Sequence, residues 1–301
     1  MIPLLLIITT AFFFPGVIGK VKAIYSGRKG PSIWQPVKDV VRLLKKGSVY
    51  SENSSIVFQF TIPVYLAALF TAALVVPFEN HEGLMSFDGD FVYFAYIMAL
   101  GRFMMIIAAL DTASGFEGMG ANREAFYSLL VEPAFFILLG TLAMFTGYTS
   151  FHEIFSNLHY TSYFSVLIAF LAVYLIGQIC LVENSRLPVD DPKTHLELTM
   201  VHEVMVLDHS GFDLALIHIG GALKFAIFGA LMGNCLVHAE WGLPVTIPLY
   251  LALQVAFAFS IGLYESFRAR NKMHYNPQYI INLSAIAVLL IFVVMIINNN
   301  I

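Results

Sequence analysis

Apolar residues fall along the chain in eight runs, at roughly 3–23, 57–77, 91–110, 126–147, 161–182, 212–236, 245–265 and 279–297. Each matches the thickness of a bilayer, since crossing ~30 Å of hydrocarbon at ~1.5 Å per residue takes about 20 mainly apolar residues. A helix satisfies every backbone N–H and C=O within its own segment, which lipid cannot do for it. The short alternating strands of a membrane barrel do not occur in the sequence. The pattern predicts an all-α, polytopic membrane protein of about eight transmembrane helices, forming a single helical domain over 1–301.

The polar stretches between the runs set an orientation. Basic residues in loop one, counted from the end of the first run, are Lys20, Lys22, Arg28, Lys29, Lys38, Arg42, Lys45 and Lys46. Loop three adds Arg123, loop five Arg186 and Lys193, and loop seven Arg268, Arg270 and Lys272. Fourteen of the 16 Lys and Arg residues therefore lie at odd-numbered loops, and loops two, four and six have none. The positive-inside rule puts the odd loops in the cytoplasm and both termini on the outer side. Loops 24–56, 111–125, 183–211 and 266–278 then form one cytoplasmic docking face. No basic residue precedes the first run, so it reads as a retained helix rather than a cleaved signal.

Composition narrows the class. The chain is 58% hydrophobic and 12% charged, with a mean hydropathy of +0.78. Soluble domains carry about 25% charge, so this much apolar surface needs lipid around it. The expected location is the inner (cytoplasmic) membrane. A net charge of -4 without a basic tail gives no reason to expect nucleic acid. Cys180 and Cys235 sit in apolar runs, and two cysteines cannot hold an iron–sulfur cluster or a zinc ribbon. No cofactor or redox centre is expected on this chain itself. In loop one, "QPVKDVVRLLKKG" spaces Val37, Val40, Val41 and Leu44 on one helix face opposite Lys38, Arg42, Lys45 and Lys46. Such a helix rests on anionic lipid or docks a cytoplasmic partner.

Local motifs of stand-alone enzymes fail. "HEVMV" at 202–206 lacks the second His of a zinc-protease helix, and "GFEGMG" at 115–120 follows no strand. Charge inside the runs is more informative, because an ionisable group at mid-membrane costs about 2.5–3.5 kcal/mol on insertion scales and marks function. Glu132 lies in "SLLVEPAFF", where Pro133 can open the local helix. Arg102 in the third run is a candidate ion-pair partner, and Lys224 in the sixth a candidate buried base. Asp111 and Glu117 close the third run or open the next loop, where water can solvate them.

The densest charge is at 183–209, "ENSRLPVDDPKTHLELTMVHEVMVLDH". Pro188 and Pro192 bracket Asp190 and Asp191 and rule out a continuous helix there. From His195 onward a helix can run, with His195, Thr199, His202 and His209 on one face. Carboxylates such as Glu203 beside imidazoles at a membrane surface suit a proton relay, because His changes charge near neutrality. A metal site is disfavoured, as i, i+7 histidines lie about 10 Å apart along the axis.

Three stretches, "GRKGPSIWQPVKDVVRLLKKG", "REAFYSLLVEPAFF" and "ENSRLPVDDPKTHLELTMVHEVMVLDHSG", resemble the membrane subunit of respiratory complex I that is subunit 1 in mitochondria. The third is closer in wording to the corresponding membrane subunit of group 4 energy-converting [NiFe] hydrogenases of the formate hydrogenlyase type. The complex I pattern places an acidic triplet where this chain has Lys193, His195 and Glu197, which weighs against a quinone chamber. The resemblance implies a non-catalytic coupling subunit of an oxidoreductase complex. Its expected partners are hydrogenase large and small subunits holding the [NiFe] centre and iron–sulfur clusters, with antiporter-like membrane subunits alongside. Motif matching carries over Glu132, Glu183, Arg186, Asp190 and Glu197 as ion-translocation or coupling residues. The chemistry of the chain adds His195, Glu203, Lys224 and Arg102. A quinone-chamber subunit of complex I and a passive membrane anchor are the rival expectations. A stand-alone transporter would need inverted repeats with paired broken helices, which the sequence lacks.

Overall fold

A computed structural model of the chain describes residues 1–79, 81–158, 164–191, 200–237 and 242–299. Eleven α-helices are present among them: α1 Ile2–Tyr25, α2 Gln35–Leu44, α3 Ile56–Val75, α4 Asp90–Asp111, α5 Gly115–Thr146, α6 Phe151–Asn157, α7 Ser165–Glu183, α8 His202–Met205, α9 Gly211–Leu236, α10 Leu243–Phe267 and α11 Asn276–Asn299. Eight helical segments are long and apolar enough to cross a membrane, in agreement with the hydropathy pattern. The described residues form no β-sheet, only an isolated bridge between Phe78 and His81.

Local chemistry sets several helix starts. Pro occupies the first turn of α1, α2 and α10, where its fixed φ suits the helix and its missing N–H is not needed. Ser55 caps α3 by accepting from the Val57 N–H at 3.1 Å. The Asp111 carboxylate in turn accepts from the Ser55 N–H and hydroxyl, both at 2.8 Å. Asp111 is thus a tie between the end of α4 and the start of α3, where a negative charge also meets the positive end of the helix. Pro133 lies within α5, which runs on without a break.

The bundle is arranged around α9, whose spanning window is 72% buried against 28–56% for the other seven. It packs on α1, α3, α7 and α10, while α3 lies along α4, and α5 lies between α4 and α11. Close approach depends on Gly220, where a Cβ would fall 2.4 Å from Cε1 of the buried Tyr65 ring. Outside the bundle, α2 has no buried residue, yet it packs against α1 and α9.

Two sequence expectations change. α5 begins at Gly115 rather than 126, which reduces the expected loop 111–125 to residues 112–114. The hydropathy pattern stops at the polar stretch holding Glu117, Arg123 and Glu124. Packing keeps that stretch helical: Ala121 joins Ala109 and Met205 in a small core, and Gly120 lies beneath Val201. The helix expected from His195 through His209 is reduced, among the described residues, to the single turn of α8, so His202 and His209 share no helix face. His195, Thr199 and Glu197 lie outside the described residues. The helix α6 has no hydropathy signal because it is only seven residues long.

Replacing Gly220 with Leu forces the Tyr65 ring aside, and overpacking of this kind costs about 1–3 kcal/mol. Gly221, with nothing within 4 Å of its Cβ position, is the matched control. Thermal unfolding in detergent is expected to show a clear drop for Gly220→Leu and a much smaller change for Gly221→Leu. Equal drops would remove the Tyr65 contact as the cause.

A buried charged cluster as candidate functional site

Four transmembrane helices bring five charged side chains to one place. Arg102 comes from α4, Glu124 and Glu132 from α5, Glu183 from the last position of α7, and Lys224 from α9. The Arg102 guanidinium is 5% exposed and is paired through Nη2 with Glu183 Oε1. Its Nη1 lies 3.9 Å from Glu132 Oε1, and its Nε lies 3.9 Å from Glu124 Oε1. Lys224 Nζ donates to the Glu183 backbone carbonyl at 2.8 Å and lies 3.9 Å from its Oε2. Lys224 thereby satisfies a carbonyl at the C-terminal end of α7, where a cation is favoured. Ser185 Oγ donates to Glu124 Oε2 at 3.3 Å. Glu124, Glu183 and Lys224 are buried, whereas the Glu132 side chain is 40% exposed and borders a small cleft with Met98, Phe135 and Phe228.

The cluster counts three carboxylates against two cations. An unpaired charge away from water costs several kcal/mol. One added positive charge, a proton shared among the carboxylates or a small cation, balances the set.

Two further networks adjoin it. The fully buried Glu265 carboxylate on α10 receives Lys22 of α1 at 2.8 Å and Arg186 at 3.3 Å, and the Arg186 guanidinium also lies over the Phe225 ring at 5.1 Å. Asp190 pairs with Arg270 at 2.9 Å and accepts from the N–H groups of Asp191, Val201 and His202. Burial pushes the Asp190 carboxyl above its ordinary range, and Arg270 and those three donors oppose the rise. Residues 183–190 thus tie the membrane cluster, the α1–α10 pair and the 200–202 segment into one connected surface.

Among the sequence-predicted residues, Arg102, Glu132, Glu183 and Lys224 converge, Arg186 and Asp190 anchor the adjoining networks, and Glu203 stands half-buried on α8. Sequence reasoning misses Glu124, Glu265 and Glu117. Glu124 stands eight residues before Glu132, close to the same helix face, and an earlier start for the fourth span is the signal that reveals it. Glu265 closes the seventh apolar run and reads as a helix end. Glu117, expected in water, is fully buried and accepts from the Asp208 N–H at 3.0 Å.

The histidine relay also changes. His209 stacks on Phe58, with centroids 4.2 Å apart, and burial pushes it down to about 4. His202 is pushed down to about 3, by burial first and then by the nearby cations Lys224 and Arg186. Burial thus holds both imidazoles neutral near pH 7. Among the described residues no three His, Cys, Asp or Glu side chains converge as a metal site.

Fold and site define a class: a multi-span helical membrane protein with an ion-pair cluster buried between its helices and tied to its loops. The chain belongs to the NADH dehydrogenase family, whose profile matches residues 1–297. It is 31% identical over 218 residues to hydrogenase-4 component C of Escherichia coli (strain K12), covering 72% of this chain and 68% of that one. It is 27% identical over 288 residues to formate hydrogenlyase subunit 4 of the same organism, covering 92% of each. It is 28% identical to NADH-ubiquinone oxidoreductase chain 1 of Arabidopsis thaliana over 252 residues, covering 80% of this chain and 75% of that one. Its fold matches a chain in the structure of the membrane-bound sulfane sulfur reductase, an archaeal respiratory membrane complex. That match has a TM-score of 0.82 at 19% identity and covers 97% of this chain and 98% of that one.

Arg102→Met leaves three carboxylates facing one another, and breaking a buried pair in this way costs about 3–5 kcal/mol. Adding Glu183→Gln is expected to recover much of that loss, because it removes one of the stranded charges. A double-mutant cycle on thermal unfolding reads the coupling, and additive losses would show that the two side chains do not interact.

The depressed His209 makes stability depend on pH. Below its unfolded value of 6.5 the unfolded chain takes up a proton that the folded state refuses until about 4. Its contribution is complete above that unfolded value and is lost as pH falls, at about 1.4 kcal/mol per pH unit. His209→Phe keeps the stack on Phe58 and is expected to flatten the acid side of a stability–pH curve. Parallel curves for variant and wild type would exclude His209 as the source.

Proposed function

We propose that this chain is the integral membrane coupling subunit of a membrane-bound [NiFe] hydrogenase complex in the cytoplasmic membrane. Its cytoplasmic loops 24–56, 183–211 and 266–278 anchor a redox arm of large and small subunits, which carries the [NiFe] centre and iron–sulfur clusters. Antiporter-like subunits sit beside it in the membrane. The observation that carries this reading is the cluster of Arg102, Glu124, Glu132, Glu183 and Lys224, one carboxylate in excess, joined through residues 184–190 to the loops. Two relatives named as hydrogenase components support the hydrogenase branch.

In this mechanism the carboxylates of Glu124, Glu132 and Glu183 share one proton, held near Arg102 and Lys224. Redox turnover in the arm displaces the segment that begins at Glu183. Because Arg102 binds the Glu183 carboxylate and Lys224 binds its carbonyl, a small shift changes both contacts at once. The proton is redistributed to another carboxylate and passes along the membrane, while the cluster takes up its replacement.

A second reading, a quinone-chamber subunit of complex I, draws on the resemblance to NADH-ubiquinone oxidoreductase chain 1. Nickel content and hydrogen evolution from a reduced donor, measured on the tagged complex in mild detergent, separate the two. Stoichiometric nickel with hydrogen evolution is the expected result, and quinone reduction without nickel would move the chain to the complex I branch. Glu132→Gln, at a half-exposed position, is expected to keep assembly and to lower proton movement per hydrogen formed by about tenfold, a change of ~1.4 kcal/mol in the coupled step. Full coupling in that variant would sink the coupling role, and a defect in assembly alone would make the chain a passive anchor.

A further inference from the structure

A second polar feature lies in the other half of the bundle. The buried stripe of α10 reads Thr246, Tyr250, Gln254, Ala258, Ile261, Gly262 and Glu265. Its first three members are polar, spaced four apart, and 0%, 1% and 4% exposed, so they form one line within the protein interior. α9 makes room for them with glycine. A Cβ at Gly229 would fall 2.1 Å from Gln254 Oε1, and one at Gly233 would fall 2.9 Å from the Tyr250 ring. Two helices thus approach closely in order to house an amide and a phenol.

The hydrogen bonding of this line is incomplete. Neither Gln254 Oε1 nor the Tyr250 hydroxyl has a hydrogen-bond partner of good geometry within the protein, although the hydroxyl faces Thr10 of α1. Burying such an atom without a partner costs about 1–3 kcal/mol, and a Leu–Phe pair of similar volume would avoid that cost. The far end is anchored by polar contacts: Thr246 Oγ1 donates to Glu79 Oε2 at 3.0 Å, and Asn234 Nδ2 donates to the Pro77 carbonyl at 2.7 Å. Glu79 belongs to the loop between α3 and α4, at the opposite end of the bundle from the basic loops. The near end approaches the charged cluster, since Gly229 is five residues, about 7.5 Å, along α9 from Lys224.

We infer that the α1–α9–α10 interface holds a file of water molecules, ordered by Gln254, Tyr250 and Thr246, that conducts protons between the Lys224 cluster and Glu79. Gln254 donates and accepts and so orients the file. The Tyr250 hydroxyl accepts a proton from one neighbour as it gives its own to the next. One proton enters as another leaves, and no member of the line changes its net charge. The conduction role rests on the coupling function proposed above, whereas the presence of the file does not.

Both parts are tested on the assembled complex. Radiolytic hydroxyl-radical footprinting oxidises side chains beside bound water, so Tyr250 is expected to be labelled despite its 1% exposure, and Gln254→Leu is expected to suppress the label. An unlabelled Tyr250 in the wild type would overturn the inference. In vesicles, Tyr250→Phe keeps the ring against Phe78 and removes only the hydroxyl. With electron transfer retained, it is expected to lower protons moved per electron by about tenfold or more. Normal coupling in both Tyr250→Phe and Gln254→Leu, with Glu132→Gln uncoupled, would overturn this path alone. Normal coupling in all three would overturn the coupling reading as well.

Discussion

The constraint on which this structure depends is that charge placed between membrane helices must find charge of opposite sign. Arg102 is the clearest case. It projects from α4 into a bundle whose surface is apolar, and Glu183 meets it from the last residue of α7. That pair fixes where α7 ends, and the end of α7 fixes where Lys224 of α9 must stand to reach the exposed carbonyl. α9, the most buried helix, is therefore held by an electrostatic contact at its middle as well as by packing along its length. The helices could pack without these charges. They would then lack a reason to hold α4, α5, α7 and α9 in this particular register.

The same logic extends into the loops. Residues 183–190 place Glu183, Arg186 and Asp190 in three adjoining networks, each closed by a partner distant in sequence: Arg102, Glu265 and Arg270. A force applied to this segment reaches α1 through Lys22 and Glu265, and reaches α4 and α5 through Arg102. Coupling between a docking surface and a buried site needs an element whose arrangement both ends bias. This segment has that connectivity, and its two membrane-side networks carry opposite surpluses: one excess carboxylate around Arg102, one excess cation around Glu265.

Hydropathy makes the eight spans legible, because lipid imposes the same requirement on every one of them. It fails where protein, not lipid, supplies the environment. The first turns of α5 are polar and read as loop, yet they are covered by the 200–206 segment and stay helical. Glu124 is lost with them. Motif resemblance and rarity of charge find Arg102, Glu132, Glu183 and Lys224 one at a time. Their convergence is not visible in the sequence, since it depends on how four helices rotate about their axes. The histidines mislead for a related reason: sequence gives an imidazole its solution behaviour, and burial beside Phe58 or near Lys224 removes it.

Stability alone does not account for the cluster. Replacing a buried ion network with apolar side chains of similar volume is often neutral or stabilising, by about 1–4 kcal/mol. By that measure, apolar side chains filling the whole cluster would serve a purely anchoring bundle about as well. What an apolar core cannot do is exist in two states of similar energy that differ by one proton. Three carboxylates around two cations have a place for one proton, and each position of that proton leaves the remaining charges matched in number. One of those carboxylates, Glu183, is tied through its own backbone to a segment that reaches the loops, and the coupling role proposed above uses that connection. An odd charge kept inside a membrane protein is costly as structure, and the proposed coupling role is what gives that cost a use.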